Sequence, residues 1–177
     1  INGEDVEGRD GPSSGLSCRI FEGGERIPPR WMVEAALLRA LEPKHVLFLC
    51  VANSARSQIA EGLARAVAPN GLTISSAGSQ PSEVRPEAKR VLEELGIDLS
   101  SHTSKSVEDI DSTTVDTVIT LCAEEVCPVY LGRAHRVHWG IPDPAAVQDD
   151  GAGSRLEAFR QTRDTLRRRI ALLFSSR

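Results

Sequence analysis

Residues 45–67 read HVLFLCVANSARSQIAEGLARAV, and this stretch sets both the fold and the chemistry. Val46–Cys50 is a continuous apolar run, short enough for a buried strand. Ser57–Val67 puts Ile59, Leu63 and Val67 on one helical face. Between them lie five small or medium residues, Val51, Ala52, Asn53, Ser54 and Ala55, followed by Arg56. A short loop between a strand end and a helix start turns its N–H groups inward as an anion nest. The helix start adds unpaired N–H groups and the positive end of its dipole. Arg56 supplies a planar fork that matches two oxygens of a tetrahedral oxyanion. Asn53 is a residue type that tolerates left-handed backbone. Cys50 lies at the base, and whatever attracts an anion there also favours a thiolate. Ser57 is placed to donate a hydrogen bond to that thiolate. The loop reads as a nucleophile aimed at the central atom of an oxyanion held by residues 51–56. The plainer reading, a buried strand-end cysteine beside a surface arginine, does not account for the strand before, the helix after and the small residues within.

The alternation continues downstream. Thr73–Ser76 reads as a second strand closed by Ala77-Gly78, and Pro86–Leu95 as a helix capped by Gly96. Thr114–Leu121 and Arg136–Trp139 read as the third and fourth strands, and Ser154–Phe174 as a long basic helix. Such alternation predicts an α/β fold, a four-stranded parallel sheet flanked by helices on both faces. Ligands of such sheets sit outside the carboxyl ends of the strands, which brings Cys50 and Cys122 to one edge. Upstream, Pro28 and Pro29 precede a helical pattern over Trp31–Leu41, a lead-in helix within 29–44 to a domain over 45–177. Residues 1–28 hold six of the 14 glycines and six acids against three bases, and are expected to be a flexible N-terminal tail. The only methionine is Met32. One expectation is therefore a natural protein beginning near Met32; the other is a piece of a longer chain. Cys18, in the tail, reads as an incidental thiol.

At 177 residues the chain has room for a core. A formal charge of -4 argues against a basic surface for nucleic acid or an anionic membrane. No apolar run approaches the roughly 18 residues of a membrane span. The N-terminus lacks a basic-then-apolar export pattern, so a cytoplasmic location is expected, where thiols stay reduced. Four cysteines in that setting read as chemistry or metal before disulfides.

Cys122 and Cys127 stand in TLCAEEVCP, and three readings compete. Inert packing suits Cys127 poorly beside Glu124, Glu125 and Pro128. Zinc could use Cys-x4-Cys-x7-His-x2-His with His135 and His138, although that histidine spacing is short for a finger. The third is redox. Five positions along a helix rise about 7.5 Å, and bridged Cα atoms lie within about 6.8 Å, so a 122–127 disulfide requires a loop. Three cysteines converging on one anion pocket can carry out a two-electron reduction. Phosphate resists reduction by thiols; arsenate, of the same shape and charge, does not.

Residues 45–177 resemble the thioredoxin-coupled arsenate reductases built on the low-molecular-weight protein-tyrosine-phosphatase fold. The matching pieces are VLFLCVANSARSQIAEG, SSAG, GIDLSSHTS, VITLCAEEVCP and HWGIPDPA, over about three quarters of the chain. The resemblance implies that Cys50 attacks arsenate, that Arg56 and the backbone of Val51, Ala52, Asn53, Ser54 and Ala55 hold the oxygens, and that Ser57 stabilises the thiolate. It implies Asp143, extended by Pro144, as general acid. It implies a relay from Cys50 to Cys122 to Cys127, with thioredoxin as reductant and no metal or organic cofactor. Phosphate and sulfate are expected competitors, and the protein is expected to act as a monomer.

Some positions depart from the family pattern. The better-known branch has six residues between its second pair of cysteines, where this chain has four. That branch holds potassium; Asn53, Glu61 and Ser76 match its ligands, but Lys105 stands at the acidic position and its ammonium can replace the ion. The rival phosphatase branch favours a tyrosine after Asp-Pro and a proline after the loop serine; here stand Ala145, Ala146 and Gln58, with weak phosphatase side activity expected. A non-enzyme rival is a thiol or zinc sensor using Cys122, Cys127 and a histidine. His102 reads as a turn residue satisfying local hydrogen bonds, Arg167–Arg169 as a solvated helix face, and Trp139 as core near Asp143.

Overall fold

The computed structural model describes residues 28–123, 130, 132–148 and 153–174. The tail expected over 1–28, apart from Pro28, lies outside these, as do Cys18 and Cys127. The elements are α1 (Arg30–Ala40), β1 (His45–Cys50), α2 (Arg56–Val67), β2 (Thr73–Gly78), α3 (Pro86–Glu93), β3 (Thr117–Cys122), β4 (His135–Ile141) and α4 (Ser154–Phe174). Single 3-10 turns lie at Val107–Asp109 and Pro144–Ala146. The strands form one parallel sheet in the order β2-β1-β3-β4.

The period of two along β1 divides the core. Val46, Phe48 and Cys50 join the larger cluster, with Ile59 and Leu63 of α2, Val91 and Leu92 of α3, and Phe159, Leu166 and Ile170 of α4. Leu47 and Leu49 face the other way, onto Val115, Val118 and Tyr130, with Val107 and Ile110 packed alongside. The flanking is therefore uneven. All four α-helices share one cluster, and among the described residues the opposite face is covered by the 3-10 turn at 107–109 and nearby side chains. The strand order accounts for part of this: β1 to β2 and β2 to β3 run in opposite directions across the sheet, so the β2–β3 connection reaches β3 over the opposite face through residues 107–115, although α3 within it packs beside α2 and α4.

Most boundaries differ from the sequence expectation by one to three residues, and those of β3 and β4 bear on the site. β3 begins at Thr117 rather than Thr114, because Asp111 holds the chain in a turn, its Oδ1 accepting from Thr113 N at 2.9 Å and its carbonyl from Thr114 Oγ1 at 2.9 Å. β4 extends to Ile141 and carries a bulge against β3: Thr120 faces His138, but Cys122 faces Ile141. Bulges re-aim side chains near active sites. Here Leu121 and Cys122, successive residues, both reach the larger cluster. No helix among the described residues is long and apolar enough to cross a membrane.

Candidate active site

The loop of residues 51–55 leaves β1 and enters α2 with no side-chain cap on the helix. Its carbonyls are held from outside. Gln80 N donates to Val51 O at 2.9 Å, Ser82 N to Ala52 O at 3.0 Å, and Arg85 N to Ser54 O at 2.9 Å. The Asn53 carbonyl accepts from Ser104 Oγ at 2.6 Å and Gln58 Nε2 at 3.1 Å. With the carbonyls turned outward, the loop's N–H groups and the first turn of α2 are what face the cup, a ready anion site. Asn53 has φ 46, the left-handed conformation its residue type tolerates. Gly78 supports the loop from β2: a Cβ there would collide with Val51 O and stand 2.8 Å from Asn53 N.

The cup is about 120 Å³, lined by Cys50, Val51, Ala52, Ser54, Ala55, Arg56 and Asp143. Arg56 is 4% exposed; its Nη1 donates to Ile141 O at 3.2 Å, and Nη2 lies 3.7 Å from Asp143 Oδ1. That carboxylate also caps its own 3-10 turn, accepting from Ala145 N at 3.2 Å. The guanidinium thus ties α2 to the end of β4 and to the Asp143 segment.

Cys50 Sγ and Ser57 Oγ are 2.9 Å apart and buried. The direction of that bond follows from the neighbours. Asn53 Oδ1 accepts from Lys105 N at 2.7 Å and Gln58 Nε2 at 3.0 Å, which fixes Nδ2 as the donor to Ser57 Oγ and Ser76 Oγ, each at 2.8 Å. Ser57 therefore spends a lone pair on Asn53 and has its hydrogen free for sulfur, which is the only direction open once Cys50 is a thiolate. Ser76 in turn donates to Glu61, a 1% exposed carboxylate that also meets Lys105 Nζ at 3.2 Å and Arg65 Nη2 at 2.5 Å.

Cys50, Arg56, Ser57 and Asp143 are brought together, and Cys122 is buried in the same core cluster as Cys50, at the end of the adjacent strand. The Asn53 side chain does not line the cup; it braces the cup from below. Cys127 lies outside the described residues. Among the described residues no group of three His, Cys, Asp or Glu is gathered for a metal ion. His138 instead bonds Thr120 Oγ1 at 2.9 Å. His102 corrects the local reading: its Nδ1 reaches Gln58 Oε1 at 2.9 Å, 44 residues away, and burial lowers its pKa. Gln58 and the strap 80–85 went unseen as supports, because both act through contacts distant in sequence. Arg169 is likewise not simply solvated: its guanidinium lies 5.5 Å from the centroid of the Trp31 ring.

The family model for low molecular weight phosphotyrosine protein phosphatase matches residues 45–176. An arsenate reductase of Halalkalibacterium halodurans is 36% identical over 132 residues, 73% of this chain and 94% of that protein. A solved structure described as an arsenate reductase in the phosphate binding state has a TM-score of 0.63 at 34% identity, covering 75% of this chain and 97% of that one. Another, an arsenate reductase in oxidized state, has a TM-score of 0.63 at 32% identity with the same coverages.

Proposed function

The chain belongs to the low molecular weight phosphotyrosine protein phosphatase family and sides with its arsenate reductases, and from that premise we propose that it reduces arsenate to arsenite through a cysteine relay. The observation that carries the reading is the buried Cys50 sulfur, 2.9 Å from the Ser57 hydroxyl at the floor of an oxyanion-sized cup, with Cys122 at the end of the next strand. A phosphatase needs the first feature and not the second.

In this mechanism Arg56 and the amides of residues 51–56 hold three arsenate oxygens. The Cys50 thiolate attacks arsenic, and Asp143 gives its proton to the departing oxygen, which leaves as water. Cys122 then attacks Cys50 sulfur as a thiolate. The S–As bond breaks, its electron pair stays on arsenic, and arsenite leaves as arsenic(V) becomes arsenic(III). The product is a Cys50–Cys122 disulfide. Cys127 attacks Cys122, frees Cys50, and leaves a Cys122–Cys127 disulfide for a thioredoxin-type dithiol to reduce. This cycle requires a compartment that keeps thiols reduced, which is the cytosol.

Phosphate has the same shape as arsenate and competes for the cup. Slow hydrolysis of aryl phosphates by Cys50 and Asp143 is an expected side activity. Among the described residues no aromatic ring lines the cup, so nothing there grips a phosphotyrosine ring. The deciding experiment is arsenate-dependent NADPH oxidation with thioredoxin and its reductase. Wild type turns over; Cys127→Ser stops after one arsenite, with Cys50 and Cys122 disulfide-linked. Aryl phosphate hydrolysis without any arsenate turnover by the wild type would refute the relay.

A further inference from the structure

Behind the Asp143 segment lies a second cleft, of about 300 Å³, that takes no part in the relay. One wall is the segment 140–147, with Asp143, Pro144 and Val147 in it. The other is α4. That helix spends Phe159, Thr162, Leu166 and Ile170 on the core. Gln161, Thr165 and Arg169 follow at intervals of four, a spacing that keeps them on one stripe, and all three line the cleft.

Arg169 is the unusual member. It is half-buried, and Trp31 of α1 lies under its guanidinium. Among the described residues no carboxylate or carbonyl is within hydrogen-bonding or ion-pair distance of it. Glu34 on α1 acts on it only from further off, and Glu34 Oε1 is taken by Arg30 at 2.7 Å. Burial and the adjacent Arg168 both work against its charge. A guanidinium carries five donors in a fixed fork, so a half-buried one on the wall of a cleft, with an aromatic ring 5.5 Å away and no hydrogen-bond acceptor of its own among the described residues, is set to receive an anion. Val147, 37% exposed, and Pro144 offer an apolar surface beside it.

We propose that this cleft binds a small organic carboxylate, with its head on Arg169 and its apolar body between Pro144, Val147 and α4. One cation in the cleft, with the Asp143 carboxylate at the opposite wall, favours a singly charged head over a phosphate dianion. The bound molecule braces the Asp143 segment against α4. Resting on the proposed arsenate chemistry, this makes turnover sensitive to the carboxylate, because Asp143 must serve the cup from the same segment.

The test uses benzoate as probe on the full chain, with the Cys50 cup saturated by phosphate, and reads binding by calorimetry and by fluorescence, since Trp31 sits beneath Arg169. Wild type is expected to bind saturably. Arg169→Gln should weaken binding roughly tenfold or more, the worth of a charged hydrogen bond. Thr165→Leu fills the cleft, leaves the charge in place, and should also weaken binding. Melting temperatures near wild type exclude misfolding as the cause. No saturable binding, or equal binding by Arg169→Gln, overturns the site. In a separate arm, benzoate slows arsenate turnover by wild type and not by Arg169→Gln. If the protein fails to reduce arsenate at all, the binding arm still decides the cleft.

Discussion

Two carboxylates in this molecule are each gripped by two basic side chains, and their surroundings make them opposites. Glu61 is 1% exposed beneath the anion loop, held by Lys105, Arg65 and Ser76. Glu94 is 31% exposed at the end of α3, held from α4 by the fork of Arg160 at 2.7–3.1 Å and by Arg163 Nη1 at 2.6 Å. Counted by bonds, Glu94 is at least as well held. Water makes the difference. A surface carboxylate that loses its partners is resolvated; a buried one, or a cation left facing a vacant buried site, is not. Glu61 is also the end of a chain that runs through Ser76, Asn53 and Ser57 to the Cys50 sulfur. Glu94 only ties two helices together.

The strongest way to break this contrast is to neutralise each carboxylate without changing its shape. Glu61→Gln should cost about 3 kcal/mol, the lower end for a broken buried pair, because Lys105 and Arg65 are 31% and 52% exposed and can partly recover water. It should also loosen phosphate binding, since glutamine keeps one acceptor oxygen for the three donors that Glu61 serves, which weakens the brace on Ser76 and Asn53. Glu94→Gln should leave phosphate binding unchanged and move the urea midpoint by no more than an ordinary surface substitution. Equal midpoints for the two variants would show that burial is not what separates them.

A finer cut removes one cation from the buried hub. Lys105→Met leaves Glu61 with Arg65 and the Ser76 hydroxyl and should destabilise by about 1–2 kcal/mol, less than Glu61→Gln because these two partners still satisfy the carboxylate. In wild type the ammonium stands 3.2 Å from Glu61 Oε2, so potassium and sodium at matched ionic strength should give the same melting temperature. A rise in potassium would mean that the hub takes a metal cation alongside the lysine.

The contrast also marks what the sequence could disclose. Cys50, Arg56 and Ser57 fall within eight residues, and a strand, a loop and a helix in that order leave little freedom in how they meet. The parallel sheet followed from alternation, because buried strands and amphipathic helices have different periods. The start of β3 was misjudged because Asp111 spends its oxygens on Thr113 and Thr114, a local bond that apolar patterning does not report. The bulge that brings Cys122 into the Cys50 cluster depends on how β4 registers against β3, a non-local matter. So do the strap 80–85 and the bond from His102 to Gln58: each joins segments whose separation in sequence carries no spacing signal. Arg169 looked solvated beside two exposed arginines, and only the packing of α1 on α4 gives it Trp31.

Acid should separate the two regions by pH, with the smallest effects of the set. Burial lowers the pKa of His102, which lies against the loop network, and likewise that of His45 on β1, both from 6.5. The unfolded chain therefore takes up these protons first as pH falls, and stability should begin to drop below about pH 6.5. Glu94 has the opposite sense. Hydrogen bonding from Arg160, then from Arg163, brings its pKa from 4.5 down to about 2 against some desolvation. Its contribution is complete above pH 4.5 and is lost between there and about pH 2. Urea midpoints across that range should thus fall in two limbs. His102→Asn should shrink the first, leaving the share of His45, and spare the second; Glu94→Gln should do the reverse, leaving the share of Asp98 and Asp111, whose pKa values their bonds to Ser100 and Thr113 also lower. A single limb, or one removed by the wrong variant, would mean that the loop network and the surface clamp do not titrate as separate regions.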